Sequence, residues 1–544
     1  PRSFPSGNIG FSSQSGALGL ALLERAEATG LGVTSFVSIG NKADVSSNDL
    51  LEWWEDDPET DVVLLYLESF GNPRKFGRLS RRIARRKPIL ALKAGATAAG
   101  AKAASSHTAA LAGSEAAVDA LFHQAGVLRA RTLEELVDVA GLLSSQPLPR
   151  GRRVGVLTNA GGLGILCADA CEAAGLELPE LGEETRAALA EVLPGEGSVA
   201  NPIDMLGSAT GSTYERAIPP LLADARLDAL IVLFVPPVVA GAPEVAAAIR
   251  RAVESVHTDK PVLAVVMSAE GTPLELLESG VASFAYPESA ARALGLVAQR
   301  AEWLRRPAGT VPELEGIDRQ AATEVVAAAG EGWLTPAQTR TLLTAYGIPL
   351  VAERTAATAD EAVAAAGEIG YPVVVKTAAA GAHKTETGGI ALDLGDETQV
   401  REAVERIGAP VIVQQYLDGG TELLSGVVQD HVFGPLVAFG PGGVFAELIG
   451  DATFRIAPLT DVDAEELVTG GKAGRLVAGF RGTPAADAAA LEDLVHRLGR
   501  LAEDFPEVAE LDLNPVIAGP DGCVAVDARV RVGARPSERA LKSW

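Results

Sequence analysis

The sequence predicts an α/β protein of two parallel-sheet units in series, followed by a third region of α+β type with substantial antiparallel sheet. Three observations carry this. Over about the first 300 residues, short aliphatic runs alternate with helical stretches, the pattern of parallel sheets covered on both faces. The opening of the second region repeats that of the first. From residue 411 onward, several β-rich stretches follow one another.

The first region, 1–148, begins with a strand at 8–12 that runs into Ser13-Gln14-Ser15-Gly16-Ala17-Leu18-Gly19. Val62-Val63-Leu64-Leu65-Tyr66-Leu67 and Pro88-Ile89-Leu90-Ala91-Leu92 read as buried strands, with helices expected at 49–55 and 75–86. The second region, 149–305, restarts at Arg153-Val154-Gly155-Val156-Leu157-Thr158 and turns through Asn159-Ala160-Gly161-Gly162. Strands follow at 227–234 and 260–266. Both openings are a strand, a small-residue turn and a helix, so they form a weak internal repeat. Residues 306–333 read as a linker containing a helix. In the third region, 334–544, Thr335 is placed to cap a helix with Pro336 at its first position. Strands are expected at 372–376, 411–417, 423–428, 434–439 and 444–449, and near 510–515 and 524–527.

The chain has 544 residues, with 46 Lys+Arg against 71 Asp+Glu and a net charge of −25. So acidic a surface repels a phosphate backbone, and nucleic acid is not an expected partner. The longest apolar stretch, 229–243, contains three prolines and is too short to span a bilayer, so no membrane partner is expected either. Three cysteines cannot build a disulfide framework, which points to a reduced, cytoplasmic setting. Residue 1 is Pro rather than Met, so the expectation is that the natural N-terminus lies upstream.

Helix N-termini carry unpaired N–H groups and partial positive charge, and glycine lets an anion approach them. The turns at Ser15-Gly16 and Gly161-Gly162 are therefore candidate phosphate sites, although a tight βα turn has the same composition. The dinucleotide Gly-x-Gly-x-x-Gly and the Walker A sequence are both absent. His107 sits among small residues in Ala104-Ser105-Ser106-His107-Thr108-Ala109, which leaves room around a nucleophilic imidazole. His383 lies in the Gly-bounded, hydroxyl-rich run 381–389, beside Lys376 at a strand end. Glu447, Asp512, Asn514 and Asp527 are oxygen ligands of the kind Mg²⁺ takes together with substrate phosphates. Each of these residues also has a plain structural reading.

Taken together, the motifs resemble those of ADP-forming (NDP-forming) acyl-CoA synthetases of the acetate–CoA ligase type, relatives of succinyl-CoA synthetase. Ser13 to Gly19, Gly40-Asn41-Lys42-Ala43-Asp44-Val45 and Leu65-Tyr66-Leu67-Glu68 look like the family's CoA-ligase domain, and Ser106-His107-Thr108 like its phosphohistidine loop. Thr158 to Gly164 and Asn201-Pro202-Ile203-Asp204 look like its second ligase domain. Lys376, the 383–389 run, Phe433-Gly434-Pro435 and Leu513-Asn514-Pro515 look like its ATP-grasp domain.

The resemblance implies two flavodoxin-like CoA-ligase domains followed by an ATP-grasp domain. It implies reversible conversion of acid, CoA and ATP to acyl-CoA, ADP and phosphate through acyl phosphate and phosphohistidine. His107, Glu68 and His383 would be catalytic, with Ser15, Gly16, Gly161 and Gly162 holding the phosphoryl group. Lys376, Val413, Gln415, Leu417 and Arg455 would bind the nucleotide, and Glu447, Asn514 and Asp527 would bind Mg²⁺. The expected partners are a small acid, CoA, phosphate and an adenine nucleotide, in a homo-oligomer. The family usually begins with a Rossmann-like CoA-binding domain, which nothing here matches, so that domain is expected upstream or on another chain. The alternative is a ligand-sensing regulatory module of a protein acetyltransferase.

Overall fold

The computed structural model describes residues 4–42, 44–95, 115–193, 195–236, 241–268, 272–277, 279–378, 389–443 and 452–534. They fall into two compact units, one built mainly from residues up to Arg306 and one from Pro307 onward.

The first unit holds two five-stranded sheets. In the first, β1 (Ser6–Ser13), β2 (Val33–Ser38), β3 (Val62–Leu67), β4 (Ile89–Lys93) and β5 (Val127–Ala130) lie in the order β2-β1-β3-β4-β5, all parallel. In the second, β6 (Val154–Thr158), β7 (Ile203–Asp204), β8 (Ala229–Phe234), β9 (Val262–Val266) and β10 (Ala282–Phe284) lie in the order β10-β9-β8-β6-β7, again all parallel. Counted within each half, both orders are 2-1-3-4-5, the flavodoxin-like arrangement. The repeat seen in the two openings therefore extends to topology. β3, β4, β6, β8 and β9 are almost wholly buried, as their unbroken aliphatic runs require of strands covered on both faces.

The boundary expected at 148–149 falls between the sheets, but the two share a core. The helix Pro287–Arg305 packs on Leu133–Ser145 and on Gly161–Ala173, and Leu136, Cys167, Cys171, Leu294 and Val297 belong to one buried cluster. The expected helices start slightly earlier than their apolar pattern suggests, at Ser47 and Pro73, because Ser46 and Asn72 cap them.

One buried group in this unit is unbalanced. Arg300 is 3% exposed, and its Nη1 has no hydrogen-bond partner among the described residues. Burial alone pulls its pKa down to about 10. A guanidinium so placed is worth less than an apolar chain of similar volume, so Arg300→Met is expected to stabilise the protein by about 1–2 kcal/mol. The urea midpoint, read at an unchanged slope, measures this. A lower midpoint would show that the charge is compensated.

In the second unit, β11 (Gly332–Trp333), β16 (Thr421–Asp430), β17 (Gly434–Pro441), β18 (Thr453–Ile456), β19 (Val508–Gly519) and β21 (Ala528–Val532) form an antiparallel sheet, with β20 (Gly522–Ala525) paired to β19. A second antiparallel sheet orders β12 (Glu353–Ala356), β15 (Val411–Gln415), β13 (Val373–Thr377) and β14 (Ile390–Leu394) as β12-β15-β13-β14. Thr335 and Gln338 form a capping box at the helix Pro336–Ala345, with Pro336 at its start.

Two expectations change here. The helix expected within 306–333 is present at Arg319–Ala328, but it belongs to the packed unit, lying on Pro336–Ala345 through Ala322 with Val325 and Val326 against the same core. Their helical spacing is an amphipathic stripe, which the flanking glycines obscure. β15 stops at Gln415, short of Leu417. The strand expected at 444–449 lies outside the described residues. No helix among the described residues is long and apolar enough to cross a membrane.

Candidate active site

The order 2-1-3-4-5 reverses direction beside the first strand of each half, and ligands of open α/β sheets bind beyond the strand ends at that point. The two small-residue turns lie there. In the first half, Ser13 Oγ donates to Ser15 O at 2.7 Å and accepts from Ser15 N at 3.2 Å. In the second, Thr158 Oγ1 makes the same pair of bonds with Ala160, both at 3.0 Å. Each hydroxyl braces its turn from within. The helices Gly16–Ala28 and Gly161–Ala173 then start without a side-chain cap hydrogen bond and without an acidic residue in the first turn. Their first N–H groups remain available to an anion.

An amide residue fastens each turn across the switch point. Gln14 Oε1 accepts from Glu68 N at 2.8 Å and Ser69 N at 3.0 Å, while Gln14 Nε2 donates to Ser69 O at 2.8 Å. Asn159 does the same to Val235, accepting from its N at 2.9 Å and donating to its O at 2.8 Å. Gln14 thus ties the loop bearing Glu68 to the turn that opens at Gly16. Lys42, in the left-handed region at φ 54°, adds a bond from Nζ to Ser69 O at 2.8 Å. Neither Gln14 nor Asn159 stood out among the expected site residues. The signal was present in an amide at the same place in both openings, Ser13-Gln14-Ser15-Gly16 and Thr158-Asn159-Ala160-Gly161.

The halves differ in what faces the glycine. A Cβ on Gly16 would lie 3.4 Å from the Ser38 hydroxyl, whereas one on Gly161 would lie 2.7 Å from Asp204 Oδ2. The other Asp204 oxygen accepts from Leu206 N at 2.9 Å, so the carboxylate is fixed. Its charge offsets part of the positive end at Gly161.

In the second unit, a pocket lies between the two sheets. Lys376 is 4% exposed and donates to Val526 O at 3.3 Å, with Asp527 Oδ1 at 3.6 Å and Glu353 Oε2 at 3.9 Å. Gln414 Nε2 donates to Glu353 Oε2 and to Val526 O, both at 2.9 Å. Lys376, Ile412, Gln414, Glu353, Val526 and Asp527 all line the pocket.

Strand parity sets part of the expected nucleotide set apart from the lining of this pocket. Val413 is fully buried in the core on the opposite face of β15, with Ala362 and Val404. The side chains that β15 turns to the pocket are Ile412 and Gln414. Gln415 and Leu417 do not line the pocket. Arg455 is 6% exposed on β18, with Nη2 3.5 Å from Glu466 Oε2, and it is not among the pocket-lining residues either.

Asn514 and Asp527 do come together. Asn514 N donates to Asp527 O at 3.2 Å, and Asn514 Oδ1 accepts from Gly443 N at 3.0 Å. These are hard oxygen donors of the type Mg²⁺ takes. Among the described residues, no group of three or more His, Cys, Asp or Glu could hold a metal unaided. His107, His383 and Glu447 lie outside the described residues.

Comparison with known proteins agrees with this architecture. Residues 6–143 match the succinyl-CoA ligase like flavodoxin domain, 154–312 the Ligase-CoA domain, and 325–532 the ATP-grasp domain. An acetate–CoA ligase [ADP-forming] I of Archaeoglobus fulgidus is 37% identical over 97% of this chain and 78% of its own length. A 4-hydroxybutyrate–CoA ligase [ADP-forming] of Nitrosopumilus maritimus is 34% identical over 96% and 78%. The solved structure of a dinucleotide forming acetyl-coenzyme A synthetase 1 of Ca. Korarchaeum cryptofilum, in complex with phosphate and ADP, is 36% identical with a TM-score of 0.53. It covers 56% of this chain and 67% of that one. These relatives are acid–thiol ligases, which leaves the acetyltransferase regulatory module without support. With three domains in the family's order and a ligase relative matched along nearly all of this chain, the chain belongs to the ADP-forming acetate and acyl-CoA ligase family.

Proposed function

We propose that the chain interconverts acyl-CoA, phosphate and ADP with acid, CoA and ATP through an acyl phosphate and a phosphohistidine. The observation that carries this reading is the uncapped helix terminus at Gly16, fastened by Gln14 to the loop of Glu68. An anion site tied to a loop that carries a carboxylate suits a phosphoryl group passing to an imidazole. A phosphate oxygen attacks the acyl carbon, the C–S bond breaks, and CoA leaves as thiolate. The His107 nitrogen then takes the phosphoryl group as the P–O bond to the acyl oxygen breaks, releasing the acid.

In this reading the Gly16 terminus, aided by Gly161-Gly162, holds the phosphoryl charge, and Glu68 fixes the imidazole tautomer. His383 relays the group to ADP, whose phosphates meet Lys376. Asn514 and Asp527 would hold Mg²⁺, which neutralises phosphate charge.

Oxygen tracing tests the route. With acetyl-CoA, ADP and ¹⁸O-labelled phosphate, one label is expected in the released acetate, with CoA and ATP formed in equal amounts. Unlabelled acetate, or AMP with pyrophosphate in the reverse direction, would refute an acyl phosphate.

A further inference from the structure

Lys42 and Leu206 occupy the same place in the repeat. Each follows the second strand of its half. Each lies four residues before the N-cap of the next helix, Ser46 for Ser47–Asp56 and Thr210 for Gly211–Ala223. Both are held in the left-handed region, at φ 54° and 65°, and both N-caps belong to capping boxes. A left-handed residue other than glycine is uncommon, so its recurrence marks a turn that the fold requires in both halves.

The side chains differ. Lys42 Nζ donates to Ser69 O at 2.8 Å and to Ser69 Oγ. Leu206 has no donor to offer Val235, the residue that Asn159 fastens as Gln14 fastens Ser69. The second half reaches the same strand order without an ammonium at this position, so the fold itself does not need one. In the first half, Ser69 O accepts from Gln14 Nε2 and from Lys42 Nζ, both at 2.8 Å, which uses both of its lone pairs. A bond from an ammonium is roughly twice as strong as one between neutral groups. What the ammonium accompanies is a carboxylate: Glu68 precedes Ser69, whereas Phe234 precedes Val235.

We infer that Lys42 is a positioning residue for the transfer of the phosphoryl group. It locks the loop after β3, so that Glu68 keeps its place against the imidazole while charge moves from the acyl phosphate to the acid. A displacement of about 1 Å at such a point costs on the order of 10²-fold in rate. The inference rests on the reading of Glu68 as the residue that orients the imidazole.

Labelling of the full chain with acetyl [³²P]phosphate tests this. The P–O bond to the acetyl oxygen breaks, the P–N bond to His107 forms and acetate leaves, so neither CoA nor nucleotide is required. The unmodified chain is compared with Lys42→Met, Glu68→Gln and the double variant. Lys42→Met is expected to take acid-labile label about 10- to 30-fold more slowly, a smaller loss than that of Glu68→Gln. In the Glu68→Gln background, Lys42→Met should change the rate by less than about twofold, because nothing is left for it to position. Lys42→Arg keeps the charge and should recover the rate to within about fivefold of the unmodified chain. Full-rate labelling of Lys42→Met would overturn the inference. So would equal slowing by Lys42→Met in both backgrounds, the mark of a general loss of structure, or a Lys42→Arg rate no better than that of Lys42→Met. If Glu68→Gln labels as fast as the unmodified chain, the orienting role of Glu68 fails and the inference falls with it. If the unmodified chain takes no label, the acyl phosphate route fails, and both readings fall.

Discussion

Replacing His107 with alanine is expected to lower acyl-CoA-dependent ATP formation by about 10⁴-fold or more, since a covalent carrier has no substitute. ADP affinity should stay within about twofold of the unmodified chain, because a binding contribution from this residue would be an effect of about 1 kcal/mol or larger. The expectation rests on two foundations. The resemblance of Ser106-His107-Thr108 to the family's phosphohistidine loop supplies the residue. The Gly16 terminus, with the Glu68 loop tied to it by three Gln14 hydrogen bonds, supplies the place where a phosphoryl group would be received. A coupled ATP assay and a calorimetric ADP titration measure the two quantities. Turnover within tenfold of the unmodified chain would remove His107 from the route. Glu68→Gln is the graded companion, because it keeps the side chain's shape and loses its charge. A fall of about 10²-fold is expected there, the size of a lost orienting contact rather than a lost carrier.

Lys376→Met is expected to weaken ADP binding by about 100-fold, the scale of a charge-assisted contact removed from a desolvated site. Label from ³²P-phosphate and acyl-CoA should still enter the chain in acid-labile form, because that half of the reaction needs no nucleotide. The substitution also leaves Glu353 and Asp527 without the cation between them. Some loss of stability is therefore expected, and Lys376→Arg controls for it by keeping the charge. If Lys376→Met binds ADP as tightly as the unmodified chain, the lysine belongs to the ion-pair network and not to the phosphate site. If both the label and ADP binding vanish while Lys376→Arg retains both, the damage is to the fold.

Much of the architecture was legible in the sequence because it is encoded locally. An aliphatic run such as Val62–Leu67 can be satisfied only as a buried strand, and that is what it forms. Thr335, Pro336 and Gln338 state a helix start by their own hydrogen-bonding chemistry. The repeat of strand, small turn and helix was visible at Ser13 and Thr158 before the shared strand order was known. The lining of the pocket between the sheets was harder. Val413 and Gln414 are equally plausible on a strand read in isolation, and a shift of one residue sends every side chain to the other face. A helix was expected within 306–333, but not its packing, because glycines and prolines punctuate the stretch more loudly than Ala322, Val325 and Val326 mark its apolar stripe.

The sequence by itself determined many of the strands and helices, where two glycine-led helices begin, and which family of motifs the chain carries. Only the tertiary structure decided which residues meet. Gln14 and the loop at Glu68 and Ser69 are 54 and 55 positions apart, and Lys376 and Val526 are 150 apart. Periodicity and capping are set by neighbours within a turn or two, so they can be read from a short window. A hydrogen bond across a switch point or between two sheets depends on strand order, register and the burial that selects them, and these arise only when the whole core packs.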